Sequence, residues 1–423
     1  SDTQSQFDQI LGLLPWSKHH PTLLAFFLLG TTRLGHALGS GNAGLFAYVL
    51  VQAVFTAAVI GYSQWIMRRL CAPVWLRALS LALCAFAPVY CDNIAVILKD
   101  VPYSYAMLLM LCEMVRQRFL EKESDGFGAG FVLRMTLSAF LMLRMRPNGA
   151  MVWIPICAAL FLGTRGRKRR AAIAAVAALP LLLGAGFDAG FDARFHPQAA
   201  SLGEALSLPF QQTARCLLAY PDDVTESELR AVSAVLDVEN GVPNYDPRLA
   251  DPVKDTSSPD LSGRLGPYMQ AWLSMGMRHP GVYLDAWLNM IYGYFYPSDS
   301  NTIVCLTLNS PDAGGVALRQ NPALSDARLE LHNRIYFTLR RIPGVGWLFY
   351  VDSVVWVFLL LLAALILRDG LRAAVPYMFF FGTLGICLLS PKSGEIRYLM
   401  PILYILPVML GAALLPPRKE EKP

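Results

Sequence analysis

Long apolar runs alternate with short basic linkers along this chain, at the length that membrane helices require. Nine runs read as spans: 43–66, 74–91, 101–118, 129–144, 149–163, 171–187, 346–367, 373–390 and 396–415. A tenth, 21–40, opens as PTLLAFFLLG and then meets Arg33, His36 and several glycines. Its apolar part covers about half a crossing, so it is expected to be an interfacial or re-entrant helix.

The basic residues orient these runs. Arg68, Arg69 and Arg77 follow the first span, and Arg116, Arg118 and Lys122 the third. Arg165, Arg167, Lys168, Arg169 and Arg170 follow the fifth, Arg368 and Arg372 the seventh, and Arg418, Lys419 and Lys422 the last. Placing all five clusters in the cytoplasm lets every intervening run cross once. The outer side then receives residues 1–42, the turns 91–100, 144–149 and 391–397, and the long segment 188–345. Ser1 opens the chain with the polar stretch SDTQSQFDQ on that side, so a helix upstream of Ser1 is expected in a longer native chain.

Within the long segment, SLPFQQTARCLLAY reads as a helix entered through Pro209. PDDVTESELRAVSAVL carries Thr225 or Ser227 as a cap with Glu228 in the first turn, which predicts a short helix. NYDPRLADPVKD is proline- and aspartate-rich loop, and 262–291 is a helix that YGYFYPSDS stops. Little strand alternation appears. The expected fold is therefore all-α: a polytopic membrane bundle with a mostly helical extracytoplasmic cap. Its parts would be an N-terminal transmembrane module at 1–187, the cap at 188–345, C-terminal helices at 346–415 and a cytoplasmic tail at 416–423.

Composition supports the membrane class, since 55% of the residues are hydrophobic and only 16% charged. The net charge of +5 is accounted for by the linker clusters and points to no nucleic-acid partner. Cys71, Cys84, Cys112, Cys157 and Cys387 fall in or near spans and read as small core residues. Cys91, Cys216 and Cys305 lie toward the outer side, where a pair could oxidise. No Cys/His spacing suggests zinc, and no Walker loop or dinucleotide fingerprint is present.

The unusual polar residues gather on the side assigned as outer. Asp2, with Lys18, His19 and His20 in LPWSKHHP, either caps a short helix beside solvated histidines or serves as a general base toward a hydroxyl. Lys99 and Asp100 stand at the mouth of a span near Asp92; they read equally as a helix cap with a snorkelling lysine and as a headgroup or metal contact. In LRMRPNG, Arg144 and Arg146 lie where arginines are less expected, and Asn148-Gly149 makes the turn. PKSGEIRY adds Lys392, Glu395 and Arg397, and Arg215 follows Gln211 and Gln212. Arginines at helix ends can grip phosphate bidentately, so these sites together suggest a phosphate or pyrophosphate clamp at the membrane boundary.

The motifs SDTQSQ with KHHP (1–6, 18–21), NAGLFAYVLVQ (42–52), ILKDVPYS (97–104), LRMRPNG (143–149), LPFQQTAR (208–215), DPVK (251–254), HPGVYLDAWLNMIYGYFYP (279–297) and EIRYLMP (395–401) resemble a family of uncharacterised bacterial multi-spanning envelope proteins. That family is in turn similar to the GT-C glycosyltransferase superfamily. The resemblance implies a GT-C-like bundle in the bacterial cytoplasmic membrane with its site on the outer face. It also implies a donor sugar on a polyprenyl phosphate, a catalytic acid at Asp2 in the first outer loop, and a second acid at Asp100. Relatives often carry a clearer acidic pair in that loop; here only Asp2 and the more distant Asp8 are available.

The expected activity is an inverting glycosyltransferase passing one sugar to an envelope glycan or lipid. Asp2 and Asp100 would be catalytic, and Arg144, Arg146, Lys392, Arg397 and Arg215 would hold the donor phosphate. Lys18, His19, His20, Lys99, Asn148, Gln211, Gln212, His279 and Glu395 would orient donor or acceptor. A divalent cation, Mg or Mn, shared by Asp2, Asp92 and Asp100 is left open. The alternatives are a ligase or polymerase of lipid-linked glycans, or a flippase or transporter of them. A transporter is expected to place polar residues at the bilayer midplane in repeated halves, which this chain does not show.

Overall fold

A computed structural model describes residues 2–86, 88–120, 127–199, 202–261, 263–296, 322–346, 350–377 and 379–414. The protein is a polytopic, mostly helical membrane protein. Among the described residues, pairing of extended chain is limited to isolated bridges. Among the described residues four helices are long and apolar enough to cross a bilayer, Gly41–Arg69, Arg167–Phe195, Val351–Asp369 and Ile396–Ala413, and Val74–Phe86 and Gly149–Gly163 are shorter apolar helices.

The chain opens with α1 (Asp2–Ile10) and α2 (Thr22–Ala37), then α3 (Gly41–Arg69). The segment read as half a crossing is thus one continuous helix, and it is laid against α3 by glycine. A Cβ on Gly35 would stand 2.7 Å from the Gly44 nitrogen, and one on Gly44 would stand 2.7 Å from the Thr31 carbonyl oxygen. Gly39 makes the turn between them at φ +68°, and Ser40 caps α3 by accepting from the Ala43 N–H. The buried hydroxyl of Thr31 bonds back to the Leu28 carbonyl, so it adds no unsatisfied group.

Over the apolar run 74–91 the described residues form α4 (Val74–Phe86) and α5 (Pro88–Ala95). Next come α6 (Asp100–Val115), α7 (Ala129–Met145), α8 (Gly149–Gly163) and α9 (Arg167–Phe195). Helix α6 is central: every residue of it except Pro102 and Leu109 is buried, with α3, α7 and α19 (Ile396–Ala413) packed around it. A helix hydrophobic all round is a buried one. That position explains why α6 carries two acids where a lipid-facing helix would carry none. By contrast α3 shows Phe46, Leu50 and Val54 outward, an i, i+4 ridge suited to lipid.

A set of shorter helices follows: α10 (Ser207–Ala219), α11 (Glu226–Ser233), α12 (Val238–Gly241), α13 (Asp251–Lys254), α14 (Leu265–Arg278) and α15 (Pro280–Ile291). This insert has its own core of Phe210, Val232, Val253, Tyr268, Met275 and Tyr283. The predicted cap at 225 forms as a full capping box, Thr225 accepting from the Glu228 N–H while Glu228 accepts from the Thr225 N–H. The helix expected over 262–291 breaks at His279, where Pro280 begins a new one. The loop motif DPVK makes one helical turn, and its lysine is a tie: Lys254 reaches Glu204 at 2.8 Å and Asp251 at 2.9 Å. Burial alone would lower the pKa of Lys254, but these two carboxylates more than reverse that and raise it.

The chain ends in α16 (Pro322–Arg341), α17 (Val351–Asp369), a 3-10 turn at Leu371–Tyr377, α18 (Phe379–Leu388) and α19. Helices α8 and α18 touch backbone to backbone, since a Cβ on Gly382 would sit 2.5 Å from the Val152 Cα. The two ends of the bundle differ. One carries Asp100, Arg146, the 390–397 turn and the insert; the other carries Arg68, Arg69, Arg116, Arg167–Arg170 and Arg368. Cys71, Cys84, Cys112, Cys157, Cys216 and Cys387 are free thiols, and the side chains of Cys91 and Cys305 lie outside the described residues.

Candidate functional site

Three helix ends meet at one place. The first residue of α6 is Asp100, the residue after α7 is Arg146, and the first turn of α19 carries Arg397 and Tyr398. The turn that delivers Asp100 is bolted from α3. Gln52 donates to the carbonyls of Ile94 at 2.7 Å and Val96 at 2.9 Å, and its own oxygen accepts from the Tyr48 hydroxyl. Gln52 thereby satisfies carbonyls that the end of α5 leaves without helical partners.

Asp100 is fully buried and forms an ion pair with Arg146, itself 7% exposed. The Arg146 guanidinium lies 4.7 Å from the Tyr398 ring centre and 5.7 Å from that of Tyr103. It is thus clamped between aromatic faces with a carboxylate beside it. Arg146 Nε, the second Asp100 oxygen and the Tyr103 hydroxyl accept or donate no hydrogen bond among the described residues. On the next turn, buried Glu395 takes Lys392 at 2.8 Å and Arg397 at 3.5 Å. Arg146, Lys392 and Arg397 are thus arrayed around the Asp100 and Glu395 carboxylates.

The insert is stitched onto this turn. Ala250 N–H donates to Pro391 O at 2.7 Å and Ser393 N–H to Arg248 O at 2.9 Å. Tyr294 hydroxyl reaches Ser390 Oγ at 3.1 Å, and Gly293 N–H donates to Ser393 Oγ at 3.1 Å. Gly293 has to be glycine here, because a Cβ would fall 2.9 Å from the Gly394 nitrogen. Trp287 adds a bond to Leu388 O at the end of α18.

Of the residues singled out in the sequence, Asp100, Arg146, Lys392, Glu395 and Arg397 come together, with Lys99 next in the chain. Asn148 is exposed at the start of α8. Arg144 leaves in another direction and pairs with Asp188 of α9. Lys18 pairs with Asp192 at 2.6 Å, while Trp16 packs on Phe191 and Phe195, which fastens the KHHP loop to the end of α9. His19 and His20 meet edge to face in that loop. Asp2 begins α1, but its side chain lies outside the described residues, as does that of Asp92.

The remaining four belong to the insert. Arg215 pairs with Asp285 at 2.9 Å. Gln211 donates to Asp246 O and Leu249 O, which shapes the loop that docks on Lys392. Gln212 links Tyr283 O to the Trp272 indole, and His279 stacks on Tyr220 at 4.0 Å. Among the described residues no group of three His, Cys, Asp or Glu side chains could hold a metal ion.

Tyr103, Tyr398 and Gln52 were not singled out in the sequence. Each lies inside a quoted motif, ILKDVPYS, EIRYLMP or NAGLFAYVLVQ. For Tyr103 and Tyr398 the available signal was an aromatic residue within one turn of a charged helix end. A family model described as "Family of unknown function (DUF6020)" matches residues 15–422. No curated protein and no solved structure matches the chain.

Proposed function

The chain belongs to the family of unknown function DUF6020, and we propose that it is a glycosyltransferase using a polyprenyl-phosphate sugar at the Asp100–Arg146 end of the bundle. The single observation that supports this most is the buried Arg146 guanidinium, held between Tyr103 and Tyr398 beside Asp100, with Lys392 and Arg397 on the adjoining turn. Such an array carries fixed positive charge that need not reorganise when a phosphate leaves.

In the reaction, an acceptor hydroxyl attacks the anomeric carbon of the donor. The new C–O bond forms as the bond from that carbon to the phosphate oxygen breaks. The leaving lipid phosphate is received by Arg146, Arg397 and Lys392. The hydroxyl proton goes to a carboxylate, for which Asp2 at the start of α1 is the assigned residue. Asp100 fixes the orientation of Arg146, since burial and the ion pair leave it little freedom to act elsewhere. The insert end faces outward and the basic end faces the cytoplasm, following the positive-inside rule. The GT-C architecture and the division into transmembrane module and cap belong to the same proposal.

The test is reconstituted full-length protein incubated with a panel of polyprenyl-phosphate sugars and envelope lipid extract, with products read by mass spectrometry. One donor should be consumed and one hexose or pentose mass should appear on an acceptor. Intact lipid-linked saccharide crossing the bilayer without donor consumption would replace the enzyme with a transporter. Transfer of whole glycans would make it a ligase or polymerase.

A further inference from the structure

Helix α16 turns an apolar stripe away from the protein. Leu331, Ile335 and Ile342, the last just past the helix end, are 58%, 43% and 42% exposed. Ala327 and Thr338 are exposed in the same row. At 3.6 residues per turn these five positions fall within about 100° of one another.

The side that meets the protein is a different one. Tyr336 is buried, and Leu329, His332, Leu339 and Arg340 are half-buried. The Tyr336 ring stacks on His332 at 6.1 Å. This face is centred about 120° from the stripe. Asp326, Glu330, Asn333, Arg334 and Arg341 are exposed about 120° round the other way. Arg334 and Glu330 pair there at 3.2 Å, and exposed Phe337 meets Tyr336 edge to face at 5.4 Å. A surface helix in water has two kinds of neighbour, protein and solvent. This one has a third face that is apolar and uncovered. Protein, acyl chains and headgroup water are the three surroundings of a helix lying beside a bundle at a membrane surface.

The chain fixes its height. The Arg340 guanidinium carbon lies 5.0 Å from the centre of the Tyr350 ring, and Tyr350 is the residue before α17. Gly344 at φ +82° turns the chain between the two helices, and a Cβ on Gly346 would collide with the Arg340 carbonyl oxygen. The same end of α17 is tied to the insert, since the Trp356 indole donates to Phe295 O at 3.0 Å. Tryptophan sits by preference at the headgroup level of a bilayer. Helix α16 is therefore held at the mouth of a span.

We propose that α16 lies in the plane of the membrane at the insert end of the bundle. Leu331, Ile335 and Ile342 enter the acyl layer of phospholipid, and Arg334 and Arg341 reach up to its headgroups. This contact is independent of the transfer reaction and stands or falls separately from it.

The test places full-length protein in phosphatidylcholine vesicles that include phosphatidylcholine with a diazirine in its acyl chain. Photolysis should join lipid to Leu331, Ile335 or Ile342 of the wild type, as read by peptide mass spectrometry. In parallel, Leu331→Cys, Ile335→Cys and Asn333→Cys are treated with a membrane-impermeant maleimide and read on the α16 peptides, apart from the native cysteines. All three positions are exposed, and Asn333→Cys corrects for protein facing the vesicle interior. Leu331→Cys and Ile335→Cys should label about ten-fold more slowly than Asn333→Cys, because only the thiolate reacts and apolar surroundings suppress it. Equal labelling at all three would leave the stripe in water and overturn the proposal. Shielded thiols without lipid on these peptides would mean that protein, another part of the chain or a second copy, covers the stripe, and would overturn it as well.

Discussion

Removing Asp100 should be among the most damaging single changes in this protein. Asp100 has no exposed surface, and Arg146 has 7% of its side chain exposed. Asp100→Leu therefore strands a guanidinium that cannot reach water, with its Nε already lacking a hydrogen bond. Breaking a buried pair in this way costs about 3–5 kcal/mol. The faces of Tyr398 and Tyr103 contact Arg146 both before and after the change, so the expected loss stays at about 3–5 kcal/mol. Asp100→Leu combined with Arg146→Met replaces both charges by apolar groups and should come within about 1 kcal/mol of wild type. The assay is reversible unfolding in mixed micelles across the four members of the cycle. A loss below about 1 kcal/mol for Asp100→Leu, or additive losses in the double variant, would mean that the pair is solvated and the clamp is not a sealed unit.

Three further outcomes follow from the same geometry. Glu228 in the insert has its pKa lowered from 4.5 to about 2, chiefly by the Arg278 guanidinium bonded to both its oxygens. A depressed carboxylate stabilises the fold above its unfolded pKa, so that support is lost as pH falls from about 4.5 toward 2. Hydrogen-exchange protection of α11 and α14 should fall over this window relative to α6, and Glu228→Gln should remove the pH dependence. Gly382→Ala should cost about 1–3 kcal/mol because its Cβ meets Val152 Cα at 2.5 Å, whereas Gly30→Ala, with nothing within 4 Å, should be neutral or better by up to about 1 kcal/mol; unfolding midpoints compare the two. Gln52→Leu should cost about 1–3 kcal/mol by orphaning the Ile94 and Val96 carbonyls, and should slow transfer by loosening the turn that presents Asp100, read as a lower rate at unchanged donor affinity.

Helices whose apolar run was uninterrupted were legible in the sequence. The run at 149–163 is α8 residue for residue, and 129–144 differs from α7 by one position. Where a polar flank intervened, hydropathy misjudged the ends. Helix α9 continues past 171–187 at both ends because Arg167–Arg170 and Asp188–Asp192 are helical although not apolar. Helix α2, read as about half a crossing, has 16 residues and is not among the helices long and apolar enough to span a bilayer. The contact of Gly35 with Gly44 that seats its second half is one that no hydropathy window reports. At the site, motif reading found the charges but not their pairing. Arg144 and Arg146 are two residues apart, yet one turns to Asp188 and the other to Asp100. Gln211 and Gln212, read as orienting donor or acceptor, each donate their side-chain N–H groups to backbone carbonyls of the insert.

The account rests on Arg146 and its neighbours receiving a lipid phosphate, and one comparison tests that directly. Wild type and the Asp100→Leu, Arg146→Met double variant, matched for folding by the unfolding cycle, would be given the same polyprenyl-phosphate sugar in proteoliposomes and assayed for transferred sugar. The clamp predicts product from wild type and at least a hundred-fold less from the folded double variant, a loss of about 2.7 kcal/mol or more of transition-state stabilisation. Transfer by the double variant at the wild-type rate would contradict it and move the chemistry away from this end of the bundle.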